Sequence, residues 1–140
     1  MCKEQFVRHS IANIYPLIDQ ISNRCGKKEY GIISGVQVKL TSQRYEVFKR
    51  NLTCVKCGLK GAFFAIERQK KEDTDKYHLN LYGIDKDGNE VLMTKDHIVP
   101  KAHNGKNHIS NYQTMCIKCN MEKGHEISDF VELLEKANIK

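Results

Sequence analysis

No apolar run in these 140 residues approaches the length that a bilayer-spanning helix needs. The opening MCKEQFVRHS also lacks the apolar core of a secretory leader. The expectation is a chain that keeps off the membrane and works inside the cell, in the cytoplasm. Internal repeats, low-complexity runs and linker composition are absent too. That argues against solenoids, disordered tails and strings of small modules. What remains is one compact domain by size, with room for a modest core. Its 40% hydrophobic and 29% charged residues are ordinary for a globular chain.

Cysteine, by contrast, is plentiful: six thiols, four of them in Cys54-x-x-Cys57 and Cys116-x-x-Cys119. In a reducing compartment such pairs favour metal over disulfide. Two thiolates three apart can grip one tetrahedral ion, and Gly58 after the first pair eases a tight turn. The gap between the pairs exceeds zinc-finger spacing, so the expected site is a clamp joining distant parts of the chain, holding structural zinc. Cys2 and Cys25 have no partner at ligand spacing and read as spare thiols. The net charge of +6 is compatible with a polyanionic partner, a property shared by many basic proteins that bind none.

Along the chain, residues 4–24 read as a helix from the spacing of Phe6, Val7, Ile11, Ile14, Leu17, Ile18 and Ile21, kinked before Pro16 and stopped at Cys25-Gly26. Residues 30–40 are β-rich and broken by Gly35. Thr41 or Ser42 can cap a short helix running through Asn51. AFFAIERQ and YHLNLYGI read as strands, and Asp87-Gly88 as the turn into a returning strand, EVLMT, that leads to Asp96-His97. His78, inside an alternating strand, reads as a packed or surface residue. A polar loop after Pro100 carries Lys101 and Lys106, either facing phosphate or simply solvated. Tyr112–Met115 reads as a short strand, and a helix should follow from Cys116–Cys119 to Gly124. Ser128 or Asp129 can cap a last helix with Phe130, Leu133, Leu134 and Ala137 on one face.

Met93 to Gly124 carries the chemistry. Phosphodiester hydrolysis needs a base for water, a cation on the phosphate and leaving oxygen, and positioning. His97 can supply the base. Asp96 and Asn120 can supply hard oxygen ligands for Mg²⁺ or another divalent ion. Neighbours on a strand point to opposite sides, so Asp96 and His97 can share a site only where the strand ends and the backbone bends.

These residues carry a resemblance. Asp96-His97-Ile98-Val99-Pro100, then Asn111 to Cys116, then Cys119-Asn120-x-x-Lys123-Gly124, preceded by a basic helix running into Cys54-x-x-Cys57-Gly58, resemble the HNH endonucleases of the four-cysteine branch. The likeness covers about residues 42–126. It implies an α+β fold with a ββα-metal core, a four-cysteine zinc scaffold, a β insertion and flanking helices. It implies His97 as general base, Asp96 and Asn120 as ligands of the catalytic ion, and Asn111 pinning the loop and steadying the histidine. Cys54, Cys57, Cys116 and Cys119 become zinc ligands, and Lys123 a basic residue facing phosphate. DNA is the implied substrate, with a homodimer or an accessory protein left open. On this reading residues 1–40 form an N-terminal helical/β extension of unknown role and 41–140 the nuclease-bearing part. His103, His108 and His125 fall outside the matched positions and read as phosphate-facing or exposed. The alternative is a zinc-stabilised nucleic-acid-binding module without catalysis. It accounts for the cysteines and the charge, but not for the order of Asp96-His97, Asn111 and Asn120. The setting (mobile-element homing, phage packaging or restriction) stays open.

Overall fold

The computed structural model describes residues 5–22, 27–72 and 74–124. The expected last helix at 128–137, His125, Cys2 and the Cys25-Gly26 stop lie outside the described residues. Within those residues, seven strands and three helices follow one another as β1 (Phe6–Ala12), α1 (Ile14–Leu17), β2 (Tyr30–Ile33), β3 (Val36–Lys39), α2 (Gln43–Arg50), β4 (Gly61–Gln69), β5 (Lys76–Ile84), β6 (Glu90–His97), β7 (Tyr112–Cys116) and α3 (Ile117–Lys123). The fold is mixed helix and sheet, and no described helix is long and apolar enough to cross a membrane.

One expectation is overturned at the start. Residues 6–12 form a strand, not the first turns of a helix. β1 pairs antiparallel with β4, Phe6 opposite Gln69 and Ala12 opposite Phe64. Ile11, which the helical spacing placed inside, is 58% exposed. The ladder to a partner some sixty residues away outweighs local periodicity, because pairing with β4 satisfies backbone groups along one edge of β1. The second half of the pattern holds better: Ile14, Leu17, Ile18 and Ile21 are all buried around a short helical turn. Tyr15 leaves helical geometry (φ −102°, ψ 135°) directly before Pro16, as the proline ring requires of its predecessor.

β5 is the hub. It pairs with β4 along its length and shares its other edge between β3, in parallel at Lys76–Tyr77, and β6, antiparallel at Tyr82–Ile84. β2 and β3 form a hairpin whose turn, Ser34-Gly35, takes positive φ at both residues (52° and 81°). That is the geometry of a two-residue turn matched to strand twist.

α2 is capped as expected, Ser42 accepting from Arg44 N at 3.1 Å. The Tyr45 hydroxyl accepts from Leu79 N at 2.9 Å, and Arg44 donates to Asn80 Oδ1 and Leu79 O at 2.8 and 2.7 Å. These bonds fasten α2 to β5. Around them Ile21, Val38, Phe48, Phe64, Ile66, Leu79, Leu81 and Met93 are fully buried. Each large side chain removed from water contributes about 1.5–3 kcal/mol. α2 then leads the chain into the first cysteine pair, and β7 leads it into the second.

Candidate functional site

The four thiols of Cys54, Cys57, Cys116 and Cys119 lie within 4.8 Å of one another. A tetrahedral ion with sulfur bonds near 2.3 Å would set its sulfurs about 3.8 Å apart. Cys57 and Cys116 Sγ are 3.8 Å apart. The four cysteines are thus positioned to bind a metal ion.

The backbone holds them there. Gly58 N donates to Cys54 O at 3.0 Å around a Gly58 of φ +81°, and Cys54 N donates to Leu59 O at 2.8 Å. Val55 N donates to Thr114 O at 3.0 Å, and the Thr114 hydroxyl donates to Asn51 O, tying the first pair to β7. The thiols do not share charge equally. Burial pushes the Cys54 thiol up, but donors from Cys57, Cys116 and Lys56 bring it down to about 7. Burial, and the negative charge of Cys54 nearby, raise Cys116 and Cys119. Four thiolates at such distances repel one another, and a bound cation removes that conflict.

The second cluster is assembled by β6, β7 and α3. β6 ends at His97, and Ile98 and Val99 bend away. The condition for Asp96 and His97 to share a site is therefore met. Both line one cavity of about 240 Å³, together with Asn120, Lys101 and Lys95. Asp96 is 5% exposed. Its Oδ2 accepts from Gln113 Nε2 and from Lys123 Nζ, each at 2.8 Å. Asn120 donates through Nδ2 to Thr94 Oγ1 at 2.8 Å, so its amide oxygen points elsewhere. His97 packs edge-on against Tyr112, centroids 5.0 Å apart, and its Nε2 meets Asn107 Oδ1 at 2.8 Å. An amide oxygen can only accept, so Nε2 is the donor in this contact, and in the neutral ring that tautomer places the lone pair on Nδ1.

Asn111 sits outside the cavity and laces the loop. Its Oδ1 accepts from Val99 N at 2.9 Å, and its Nδ2 donates to Val99 O and Lys106 O at 3.0 and 2.9 Å. Lys101 is exposed at the cavity rim. Lys106 is exposed on the loop and does not line the cavity.

Lys123 is the departure. Expected to face phosphate, it is 5% exposed and turned inward. Its ammonium donates to Asp96 Oδ2, to His97 O and to Ile98 O. All three of its donors are directed into the end of β6. His103 and His108 are exposed, and His108 Nδ1 accepts from Ser110 N at 3.2 Å. His78 packs edge-on against Phe6.

Four neighbours escaped the sequence reading: Thr94, Lys95, Asn107 and Gln113. Two of them carry a signal in the hairpin register. Gln113 is the partner of Asp96 across β6 and β7, and Thr94 lies two residues before Asp96, on the same face. Lys95 stands with its ammonium 4.2 Å from the centre of the Tyr112 ring. Burial lowers its pKa, and the charges of Arg44 and Lys101 lower it further.

Residues 85–132 match the model of a family described as HNH endonuclease. That span takes in Asp96, His97, Asn111, Asn120 and the second cysteine pair. Comparison with curated proteins and with solved structures returns no match.

Proposed function

We propose that this chain is an HNH endonuclease that hydrolyses DNA phosphodiester bonds, with β6, β7 and α3 as a ββα-metal core and the four cysteines on structural zinc. The observation that carries this reading is the convergence of Asp96, His97 and Asn120 on one cavity inside the span that matches the family. A merely structural Asp-His pair at a strand end would not need the amide of Asn120, on α3, beside it. Residues 41–140 would bear the nuclease. The segment before them would complete the sheet through β1, β2 and β3.

The donors fit their ions. Four cysteine sulfurs within 4.8 Å of one another suit zinc. Asp96, whose two hydrogen bonds both fall on Oδ2, has Oδ1 left for a cation. The amide oxygen of Asn120 is the second hard donor. A divalent ion held there supplies positive charge for the scissile phosphate and its leaving oxygen.

The remaining tasks fall to the chain's own side chains. Asn107 fixes the imidazole tautomer, and Nδ1 of His97 takes the proton of the attacking water. Asn111 keeps the loop after β6 in the bend that lets Asp96 and His97 face one cavity. Lys123 holds the Asp96 carboxylate and the last carbonyls of β6 in place. Lys101, at the rim, meets the incoming backbone phosphate. Cleavage in this sense leaves 5′-phosphate and 3′-hydroxyl ends, and one site nicks one strand.

Relaxation of supercoiled plasmid tests this, with wild type and His97→Ala, each in Mg²⁺ and in chelator. Nicking by wild type in Mg²⁺ alone is expected. Equal nicking by His97→Ala would remove His97 as the base. No nicking by wild type with any divalent ion would favour the binding module without catalysis.

A further inference from the structure

A second cavity of about 240 Å³ opens beside the first, and its wall is strongly basic. Lys27 and Lys28 come from the segment before β2, Lys39 from the end of β3, and Lys95 from β6, with Thr41 to Gln43 completing the lining. No carboxylate is among the described lining residues. Lys95 lines both this cavity and the one that holds Asp96, His97 and Asn120, so the two are neighbours with Lys95 at their common wall.

Four lysines from three separate segments line this one concave wall, so the local potential is positive. The resulting potential is focused in the concavity, where it attracts an anion. Hydroxyl and amide groups of Thr41, Ser42 and Gln43 add neutral polar partners of the kind that accompany lysine at phosphates. Lys27, Lys28 and Lys39 all lie outside the span that matches the family, and Lys95 lies within it.

We propose that this cavity is a phosphate-binding subsite for the nucleic-acid strand, holding backbone phosphates next to the one being cleaved, with Lys95 at the junction. The proposal rests on the nuclease reading only in taking the neighbouring cavity as the place where the strand is handled. The subsite gives Lys27, Lys28 and Lys39, all in the segment before the nuclease-bearing part, a role in substrate binding. It engages the backbone and reads no base sequence.

The test uses the full zinc-loaded chain in a His97→Ala background, so that binding is measured without cleavage. Affinity for a fluorescent DNA duplex is followed by anisotropy across a range of KCl concentrations. Lys27→Ala/Lys28→Ala/Lys39→Ala should weaken binding at least about tenfold at low salt. It should flatten the plot of log K against log salt by about 0.9 for each phosphate that is no longer neutralised. A control of equal charge change, Lys60→Ala/Lys70→Ala/Lys86→Ala, removes lysines outside both cavities and should move the slope much less. Equal effects of the two triple variants would reduce the subsite to net charge and overturn it. Inorganic phosphate or pyrophosphate competing as well as a short oligonucleotide would make it a free-anion site and overturn the strand assignment.

Cleavage by the triple variant with His97 intact should show a raised KM and an unchanged kcat. If plasmid is never nicked yet the salt slope falls, the subsite stands and the nuclease reading fails. If nicking is normal and the slope is unchanged, the subsite alone fails.

Discussion

Two carboxylates are buried among the described residues, and they are buried differently. Glu67, 2% exposed, sits in β4 with both oxygens engaged. Oε1 accepts from Asn80 and from the Tyr82 hydroxyl at 2.7 and 2.8 Å, and Oε2 accepts from Arg8 Nε at 2.8 Å. Arg8 then reaches Glu90 with two further donors, at 3.1 and 2.8 Å. Its hydrogen bonds to Glu90 outweigh the opposing effect of burial and hold the guanidinium firmly protonated. Asp96 is almost as buried and also has a cationic partner, but its hydrogen bonds fall on one oxygen and it lines a cavity. The first carboxylate is saturated and sutures three strands. The second is held by one oxygen and offers the other. Burial and ion pairing are common to both carboxylates; what distinguishes Asp96, and carries its proposed role, is the unused acceptor beside a cavity.

The largest effect should come from the clamp beneath Asp96. Cys116→Ser should bring the metal content well below one ion per chain and abolish the cooperative thermal transition. Structural zinc contributes about 10–16 kcal/mol in small domains, as much as a whole domain's stability. β7 and α3 carry Gln113 and Lys123, so Asp96 loses its holders with the metal. Full zinc content with unchanged melting would show that the thiols hold nothing together.

Isosteric changes should then separate the two carboxylates. Asp96→Asn should lower plasmid nicking by at least about 10²-fold, the scale of a lost positioned catalytic group. Glu67→Gln should leave nicking near wild type and instead lower the urea midpoint. Breaking a buried ion pair from one side costs about 3–5 kcal/mol. Nicking lost in both, or in neither, would dissolve the distinction.

The sequence showed these two regions unequally. The knuckles, Ser42 as a cap, the Asp87-Gly88 turn and the order of Asp96, His97, Asn111 and Asn120 depend on neighbours close in the chain, and were legible. The Arg8–Glu67–Glu90 network was not, because Glu67 and Glu90 lie 59 and 82 residues from Arg8 in sequence and meet it only once the sheet is assembled. The same distance hid β1: nothing within residues 6–12 announces β4 as a partner. The inward turn of Lys123 was hidden differently. A lysine three residues after Asn120 has the same spacing whether it faces phosphate or the end of β6, and only the packing of α3 on β6 decides.

A smaller effect belongs to the sheet. Burial, helped by the positive charge of Arg44, depresses the pKa of His78 from 6.5 to about 4. The unfolded chain therefore binds a proton that the folded chain refuses between those values. His78 contributes no penalty above pH 6.5, and stability falls as pH drops from 6.5 towards 4. His78→Gln should flatten that part of the curve of urea midpoint against pH and leave the curve above pH 7 unchanged. An unaltered slope would mean that His78 titrates alike in both states.

The contrast between the closed and the half-open carboxylate is tested most directly by Mn²⁺ binding to the zinc-loaded protein, followed by electron paramagnetic resonance in wild type, Asp96→Asn and Glu67→Gln. One ion per chain should bind to wild type and to Glu67→Gln, and binding should weaken at least about tenfold in Asp96→Asn. Binding that survives Asp96→Asn unchanged, or is lost equally in Glu67→Gln, would contradict the assignment of Asp96 as the carboxylate left open for a cation.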